Sequence, residues 1–219
     1  MCGRYALTSP PAAIAERFRL LWAPEVQPHY NIAPGQMIPV VRATEQGREL
    51  VFLKWGLIPH WAKDAHIATR LVNLRAETLD SRFRDAYRHR RCLVPADAFY
   101  EWKRVAKRKQ PYCVRMRDDA PFGMAGLWER WKTQDGEVVE TCAIVTVDAN
   151  ERVAPLHDRM PLIVAPADYD AWLAAETQVP VPVPAEAMVA YAVSPLVSNA
   201  KNDVPACLIP ADNGSAGSR

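Results

Sequence analysis

Long apolar runs are absent from the 219-residue sequence. No stretch approaches the ~20 consecutive apolar residues that a transmembrane helix needs. The first residues also lack the apolar core of a secretory signal peptide. These two absences argue against an integral membrane protein and predict a protein of the cytoplasm with no membrane partner.

Cysteines are few, and their arrangement argues against two kinds of cross-link. None lies in a CxxC pair, and their number is odd: Cys2, Cys92, Cys113, Cys142 and Cys207. A disulfide framework needs paired cysteines, and a structural zinc site usually needs closely spaced ones. The sequence therefore predicts neither a disulfide scaffold nor a structural metal site.

A large net charge is also missing, because 27 Lys and Arg residues nearly balance 25 Asp and Glu residues and leave +2. The chain as a whole is not a polycation, but it contains two local basic clusters. They are Arg82, Arg84, Arg88, Arg90 and Arg91 in the first, and Lys103, Arg104, Lys107, Arg108 and Lys109 in the second. Either cluster suits a phosphate backbone; the alternatives are a solvated helix face and a charged hairpin tip.

Apolar residues make up 49% of the chain, which is enough to bury a substantial core. We expect one domain over residues 1–210 and a disordered tail over residues 211–219. The 19 prolines favour short strands with punctuated connections over a helical bundle.

The most distinctive chemistry belongs to Cys2, because removal of the initiator Met1 is expected when the second residue is small. The new terminus would be a 1,2-aminothiol, with an amine of pKa about 8 beside a thiol of pKa about 8.5. Its natural partner is an aldehyde, since the amine condenses to an imine and the thiol then closes a thiazolidine ring. The alternative is that Cys2 is only a small residue near the terminus.

The first sixty residues predict a strand, a helix, a loop and a hairpin. The strand covers residues 4–7, and Pro10 and Pro11 open the helix. Ile14, Phe18 and Leu21 recur at helical spacing and predict its buried face. Pro, Asn and Gly residues indicate an ordered loop over 28–36, and apolar runs predict hairpin strands over 37–43 and 49–58.

Two tryptophans bracket a proline in the segment WGLIPHW, Trp55 to Trp61. Trp55, on the strand side, fits a core position. Trp61 follows Pro59 in a loop, and we consider two roles for it: a core or interface anchor, or a platform on which an unpaired base stacks.

Asn73 and Arg75 open the segment NLRAET, which leads into a predicted helix with Leu79, Phe83 and Tyr87 spaced by four. Near a helix N-terminus, backbone N–H groups and the helix dipole favour an anion. The alternative for Asn73 is a helix cap.

Glu101 lies between Tyr100 and Trp102, near the end of a predicted buried strand that runs from Arg91 to Arg104. Desolvation among aromatic rings would raise its pKa and suit it to proton transfer near neutral pH. A strand residue faces away from both of its sequence neighbours, however, so the alternative is an exposed glutamate.

The second half of the chain alternates strands and turns. We expect strands near residues 112–117, 138–148 and 189–193, a turn at 133–136 and a short helix that holds Tyr169, Trp172 and Leu173. His157 falls in a loop between strands, beside Asp158 and Arg159, where it fits a proton shuttle. The alternative is a structural histidine.

Six segments together resemble the SRAP family of abasic-site processing proteins: MCGRY, WGLIPHW, NLRAET, RCLVPADAFYEW, LHDRMPLIV and SNAKNDVPACL. Each is weakly diagnostic alone, but their order and spacing are specific, and they extend from residue 2 to about Pro210. The resemblance implies an α+β fold in which antiparallel strands form a barrel-like core flanked by a few helices. It also implies a positively charged cleft for single-stranded DNA, with Cys2 at its floor.

The resemblance implies roles for ten residues. Cys2 would be the nucleophile, Asn73 would orient it, and Glu101 and His157 would form the acid/base pair. Six more match positions that contact phosphates or line the pocket: Arg4, Arg75 and Arg159 for the phosphates, and Pro34, Trp61 and Thr146 for the pocket. The implied partner is single-stranded DNA with an abasic site, within a single strand or at its junction with duplex. The implied protein is a monomer without metal or cofactor, associated with the nucleoid when bound to DNA.

The implied chemistry begins with the ring-opened abasic deoxyribose, which is an aldehyde. A simple imine to this sugar invites β-elimination and a strand break, whereas closure by the Cys2 thiol gives a stable thiazolidine that shields the lesion. Glu101 would assist ring opening, and His157 would protonate the sugar oxygen and catalyse slow reversal. Weak lyase-type chemistry and peptidase removal of Met1 by the protein itself belong to the same expectation, with an aminopeptidase as the alternative agent.

Two other classes of function share some of these residues. An N-terminal-nucleophile amidohydrolase would use Cys2 against a small amide and would not bind DNA. A plain single-strand binding module would use the Trp and Arg residues, and its binding would survive loss of Cys2.

Overall fold

The computed structural model describes residues 2–22, 25–106, 108–176 and 179–211, so the expected tail lies outside the described residues apart from Ala211. The helices are α1 (Pro11–Phe18), α2 (Leu79–Arg82), α3 (Arg84–His89) and α4 (Tyr169–Leu173). The strands are β1 (Tyr5–Leu7), β2 (His29–Ile32), β3 (Met37–Thr44), β4 (Gly47–Trp55), β5 (Asn73–Arg75), β6 (Arg91–Ala96), β7 (Ala98–Val105), β8 (Arg108–Met116), β9 (Phe122–Lys132), β10 (Val138–Asp148), β11 (Arg159–Pro161), β12 (Ile163–Val164) and β13 (Met188–Ala192). Short 3₁₀ helices include Ala65–Arg70 and Pro195–Ser198.

Five strands close into a barrel, because each is hydrogen-bonded to two others of the set, in the order β10, β4, β3, β6, β9 and back to β10. The β4–β10 pair is parallel and the other pairs are antiparallel. Apolar side chains on these strands, such as Ile38, Val40 and Leu93, have no exposed surface. Their burial supplies the main driving force for closure. The α+β prediction with a barrel-like core is confirmed.

A second sheet carries the N-terminus into the interior. Its order is β13, β8, β7, β1, β2, and its strand pairs are antiparallel. Asp97 separates β6 of the barrel from β7 of this sheet, and its carboxylate accepts from the Ser9 N–H at 2.7 Å and the Ser9 hydroxyl at 2.6 Å. The Asp97 N–H in turn donates to the Ala6 carbonyl at 2.8 Å. These bonds fix the C-terminal end of β1, and the strand in turn sets the position of the N-terminal segment that holds Cys2.

Helix α1 covers one end of the core. Pro11 opens it, Ile14 and Phe18 are fully buried, and Phe18 stacks on Tyr169 with ring centroids 5.2 Å apart. Leu21 does not belong to this buried face and is 73% exposed, because the helix ends at Phe18 and Arg19 turns left-handed with φ 52°. No helix in the described ranges has the length and apolar character required to span a bilayer.

Three further sequence predictions are corrected by strand pairing. The expected loop over 28–36 contains β2, which pairs with β1. The expected single strand over 91–104 is two strands, because Asp97 bends the chain between the two sheets. Asn73 lies in a strand, because residues 73–75 form β5 beside β10. The predicted helix is replaced by a 3₁₀ helix, Ala76–Thr78, and the short helices α2 and α3. The hairpins of β3–β4 and β9–β10 match the expectation.

Candidate active site

Cys2 is separated from β1 by Gly3 and Arg4 and has no exposed surface. Its thiol contacts the Arg4 carbonyl at 3.9 Å, and its own carbonyl accepts a hydrogen bond from Asn73 Nδ2 at 2.8 Å. Burial raises the pKa of the thiol far above its ordinary value, and the negative charge of Glu101 raises it further. A thiol in this state is protonated and unreactive at neutral pH.

Asn73 reaches Cys2 because β5 is added to β10 in parallel, with Asn73 opposite Ile144. Its side-chain nitrogen holds the Cys2 carbonyl, and its Oδ1 atom is buried and accepts no hydrogen bond from any described residue. Buried amide oxygens are rarely left without a donor, since the cost is about 1–3 kcal/mol. This oxygen is therefore a vacant acceptor next to the Cys2 backbone.

Glu101 comes to Cys2 through the pairing of β1 with β7, in which Tyr5 lies opposite Phe99 and the Tyr100 N–H donates to the Arg4 carbonyl at 3.0 Å. Residues that precede Tyr5 therefore run beside residues that follow Phe99. The exposed-glutamate alternative is wrong, because Glu101 is 2% exposed. Burial raises the pKa of its carboxyl, and the nearby His157 partly opposes that effect.

His157 stands at the open side of this group, with its side chain 32% exposed. Its Nδ1 atom accepts from the Arg159 backbone N–H at 2.9 Å and lies 2.7 Å from an Asp158 carboxylate oxygen. One ring nitrogen cannot accept the first bond and donate the second at the same time. The neutral ring thus carries its proton on Nε2, and the imidazolium is the form that pairs with Asp158. We call Cys2, Asn73, Glu101 and His157 the Cys2 centre.

The three arginines expected at phosphates occupy different settings. Arg75 is exposed on β5. Arg4 donates to Asn31 Oδ1 at 2.9 Å and to the Val197 carbonyl at 2.7 Å, which ties it to the C-terminal segment.

Arg159 is 8% exposed, and its guanidinium donates to both Glu77 oxygens at 2.8 and 2.9 Å, to Asp148 at 2.6 Å and to the Thr146 carbonyl at 2.6 Å. The hydrogen bond to Glu77 raises the pKa of Arg159 and lowers that of Glu77. We call Arg159, Glu77 and Asp148 the ion cluster.

Two of the expected pocket residues line adjacent pockets, and the third is buried elsewhere. Trp61 is 59% exposed at a pocket of about 400 Å³, and Pro34 lines a neighbouring pocket of about 480 Å³. His66 and Thr69 line both pockets, so the two pockets are adjacent. Thr146 is 1% exposed and donates its hydroxyl to the Leu74 carbonyl at 3.3 Å, behind β5. Trp55 is buried, as expected.

Asn31 is an organising residue that sequence reasoning missed. It is 1% exposed, and its side-chain nitrogen lies within hydrogen-bond distance of the carbonyls of Val197, Asn199 and Asn202 at 3.1, 3.0 and 2.8 Å. It thereby holds the late SNAKND segment against Arg4. The sequence carried one signal, a polar residue next to the apolar Ile32. The prediction of a loop over 28–36 concealed that both residues lie in a strand.

Comparison with known proteins gives a consistent result. The family model described as SOS response associated peptidase (SRAP) matches residues 1–200. The abasic site processing protein YoqW of Bacillus subtilis is 40% identical over 218 residues, which cover 94% of this chain and 97% of that protein. The abasic site processing protein HMCES of Gallus gallus is 30% identical, with 86% of this chain and 68% of that protein covered. A crystal structure of a protein from Bacteroides thetaiotaomicron superposes with a TM-score of 0.82 at 25% identity, covering 96% of this chain and 100% of that one.

Proposed function

The chain belongs to the SRAP family, and we propose on that premise that it senses abasic sites in single-stranded DNA and shields them as a covalent adduct of Cys2. The observation that carries this proposal is the convergence of Asn73, Glu101 and His157 on the second residue of the chain. The names of the relatives, abasic site processing proteins, support the same substrate.

The reactive form requires removal of Met1, because an amide nitrogen at Cys2 cannot condense with an aldehyde. The free amine attacks C1′ of the ring-opened sugar, and the carbinolamine loses one water to give an imine. The thiol then adds to the imine carbon, and its proton passes to the nitrogen, which closes the thiazolidine. A protonated amine beside the thiol favours the thiolate and so opposes the effect of burial and of Glu101.

Asn73 is the positioning residue of this sequence of steps. Its Nδ2 fixes the Cys2 carbonyl, and its vacant Oδ1 gives a hydrogen of the new amine an acceptor. An amine held in this way has its lone pair aimed in one direction, which favours attack on a bound aldehyde.

Glu101 and His157 both move protons, during ring opening and in later steps. Glu101, with its raised pKa, holds a proton closer to neutral pH than an ordinary carboxyl does, so it assists sugar ring opening and loss of water. His157, at the open side, protonates the departing sugar oxygen and serves the reverse reaction. No step changes an oxidation state.

DNA is held by phosphate contacts and by stacking. We assign the phosphates to Arg4, Arg75 and Arg159, although Arg159 must exchange an acidic partner of the ion cluster to make one. Trp61 and Pro34 line adjacent pockets beside the 3₁₀ helix Ala65–Arg70 and suit an unstacked base. The protein acts as a cytoplasmic monomer on nucleoid DNA, on single strands and on their junctions with duplex.

Intact mass spectrometry with and without an abasic oligonucleotide tests this proposal. We expect a chain that lacks Met1, and then an adduct whose mass is the sum of both molecules less one water. Cys2→Ala abolishes the durable adduct, while Cys113→Ala, which removes a buried cysteine elsewhere, retains it. An adduct of wild-type yield and durability with Cys2→Ala would refute the proposal.

The same measurements separate the rival classes. An amidohydrolase would hydrolyse small amides through Cys2 and give no mass increase with DNA. A plain binding module would retard single-stranded DNA in a gel equally well with and without Cys2, again with no covalent product.

A further inference from the structure

The two basic clusters of the sequence have different fates in the structure. In the helical cluster, Arg84 pairs with Asp80, Arg90 pairs with Asp85 and Glu129, and Arg91 lies buried over the Tyr87 and Trp172 rings. Arg82 and Arg88 are exposed and form no ion pair with a described acidic side chain. In the β7–β8 hairpin, by contrast, no described acidic side chain forms an ion pair with Lys103, Arg104, Arg108 or Lys109. Three of the five helical arginines are thus held by acidic or aromatic side chains, whereas these four hairpin cations form no ion pair with a described residue.

The hairpin register makes these charges unfavourable for stability. Arg104 lies directly opposite Lys109, and both side chains are exposed. Like charges at directly opposed positions destabilise a strand pair. The two cations repel each other and have no anionic partner among the described residues. We expect such an arrangement where an external anion binds and offsets the repulsion.

The same face of the sheet leads from Arg4 to this pair. Arg4 lies opposite Tyr100, and side chains at Tyr100, Trp102 and Arg104 share one face because they are two residues apart. The Arg4 guanidinium lies 6.0 Å from the Trp102 ring centroid, and Trp102 Nε1 donates to Ser198 Oγ at 3.0 Å. This face of β7 is opposite to the one that Glu101 occupies. From Arg4 it passes the buried Tyr100 and the half-buried Trp102 and ends at the exposed Arg104 and Lys109, roughly 13 Å along the strand.

We propose that Arg104 and Lys109 form a second phosphate-binding surface, which holds the backbone of the DNA strand beyond the nucleotides bound at the Cys2 centre. This inference rests on the proposed function, because Arg4 is the contact from which the surface extends. Alternating cations and aromatic side chains along a groove are typical of sequence-independent strand binding. Affinity for DNA would therefore increase with the length of the strand on one side of the lesion.

The test uses abasic single strands of increasing length, extended on either side of the lesion, with the double variant Arg104→Gln/Lys109→Gln. Wild-type affinity should rise with extension on one side, and the variant should lose that rise. Removal of two contacts to a single strand should also lower the slope of log K against log salt by about 1.4. Crosslinking of the shortest strand should proceed at the wild-type rate.

Arg82→Gln/Arg88→Gln is the matched control, because it removes two exposed cations of the helical cluster and changes the net charge equally. It should keep the wild-type length dependence. The hairpin variant should melt at the wild-type temperature or above it, since a repulsion is removed, so a folding defect cannot imitate the result. The same length dependence in wild type and hairpin variant would overturn the inference, whereas the absence of any adduct in wild type would overturn the proposed function instead.

Discussion

Two polar regions adjoin the β5–β10 pair and are built in opposite ways. In the ion cluster, Arg159 and Glu77 join through two hydrogen bonds, and each stabilises the charged form of the other. In the Cys2 centre, burial opposes the charged forms of Cys2 and Glu101, and Asn73 keeps a vacant acceptor. Charges that stabilise each other indicate a structural role, whereas buried groups whose charged forms are disfavoured indicate a reaction site.

The two carboxylates should consequently respond to pH with opposite signs. The pKa of Glu77 is lowered, so its stabilising contribution is present above its ordinary pKa of 4.5 and is lost as pH falls through the folded value. The pKa of Glu101 is raised, so the folded state holds that proton more tightly. Its contribution is complete below 4.5 and is lost as pH rises through the folded value.

The largest expected effect is that of Glu101→Gln, which separates chemistry from stability. Without the proton donor, adduct formation should slow by about 100-fold, a typical loss for a general acid. The neutral amide cannot ionise, so the variant should melt above wild type at pH 8, and the difference should disappear toward pH 4. Single-turnover crosslinking and thermal melts at both pH values measure the two effects.

Glu77→Gln is the matched control for that experiment. It should lower the melting temperature at pH 8, and this loss should shrink only as pH falls below 4.5 through the folded pKa of Glu77. If Glu101→Gln were instead the variant that loses stability at pH 8, the distinction between the two regions would be untenable.

The second expected effect is a loss of stability in Arg159→Gln. A fully buried pair costs 3–5 kcal/mol when one partner is removed, but the Glu77 and Asp148 side chains are 54% and 90% exposed. We therefore expect a loss of about 2 kcal/mol, or roughly 4–8 °C in melting temperature for a chain of this size. Urea unfolding measures the loss. If the variant were as stable as wild type, the ion cluster would contribute nothing to folding stability, and Arg159 would serve DNA binding only.

Local patterns in the sequence account for much of the fold. Alternating apolar residues predicted the hairpins, and the paired prolines predicted α1, because these signals act over a few residues. The pairing of Asn73 with Ile144 acts over 71 positions and overrides the local helix signal of NLRAET. A three-residue strand gains its stability from β10, which no window around Asn73 contains.

The candidate site shows the same limit. Its chemistry was predictable from residue type, since a carboxylate among aromatic residues and a cysteine at position 2 each suggest a reaction. The burial of Glu101 was not, because it depends on the N-terminal segment that precedes β1, about 100 residues earlier in the sequence. The partners of Arg159 were equally hidden, since Glu77 reaches it from 82 positions away.

The third expected effect distinguishes the role of His157 from that of Glu101 within the Cys2 centre. His157→Ala should slow release of DNA from a preformed adduct by about tenfold and leave a longer-lived crosslink, since reversal repeats the proton transfers of formation backwards. Release is followed with an unlabelled abasic trap across pH 5 to 8, and His157→Gln distinguishes loss of the proton from loss of the side chain. Release at the wild-type rate at every pH would leave His157 a structural loop residue.

The smallest expected effect concerns Arg75, which lies on the segment that joins the two regions, between Asn73 of the Cys2 centre and Glu77 of the ion cluster. Its exposed side chain belongs to neither, so Arg75→Gln should leave both melting temperature and the rate of crosslinking at saturating DNA unchanged. It should lower the salt slope of binding by about 0.7 and the affinity at 0.1 M salt about fivefold, whatever the DNA sequence. A loss of stability, or an unchanged slope, would show that Arg75 supports β5 and that the phosphates are held elsewhere.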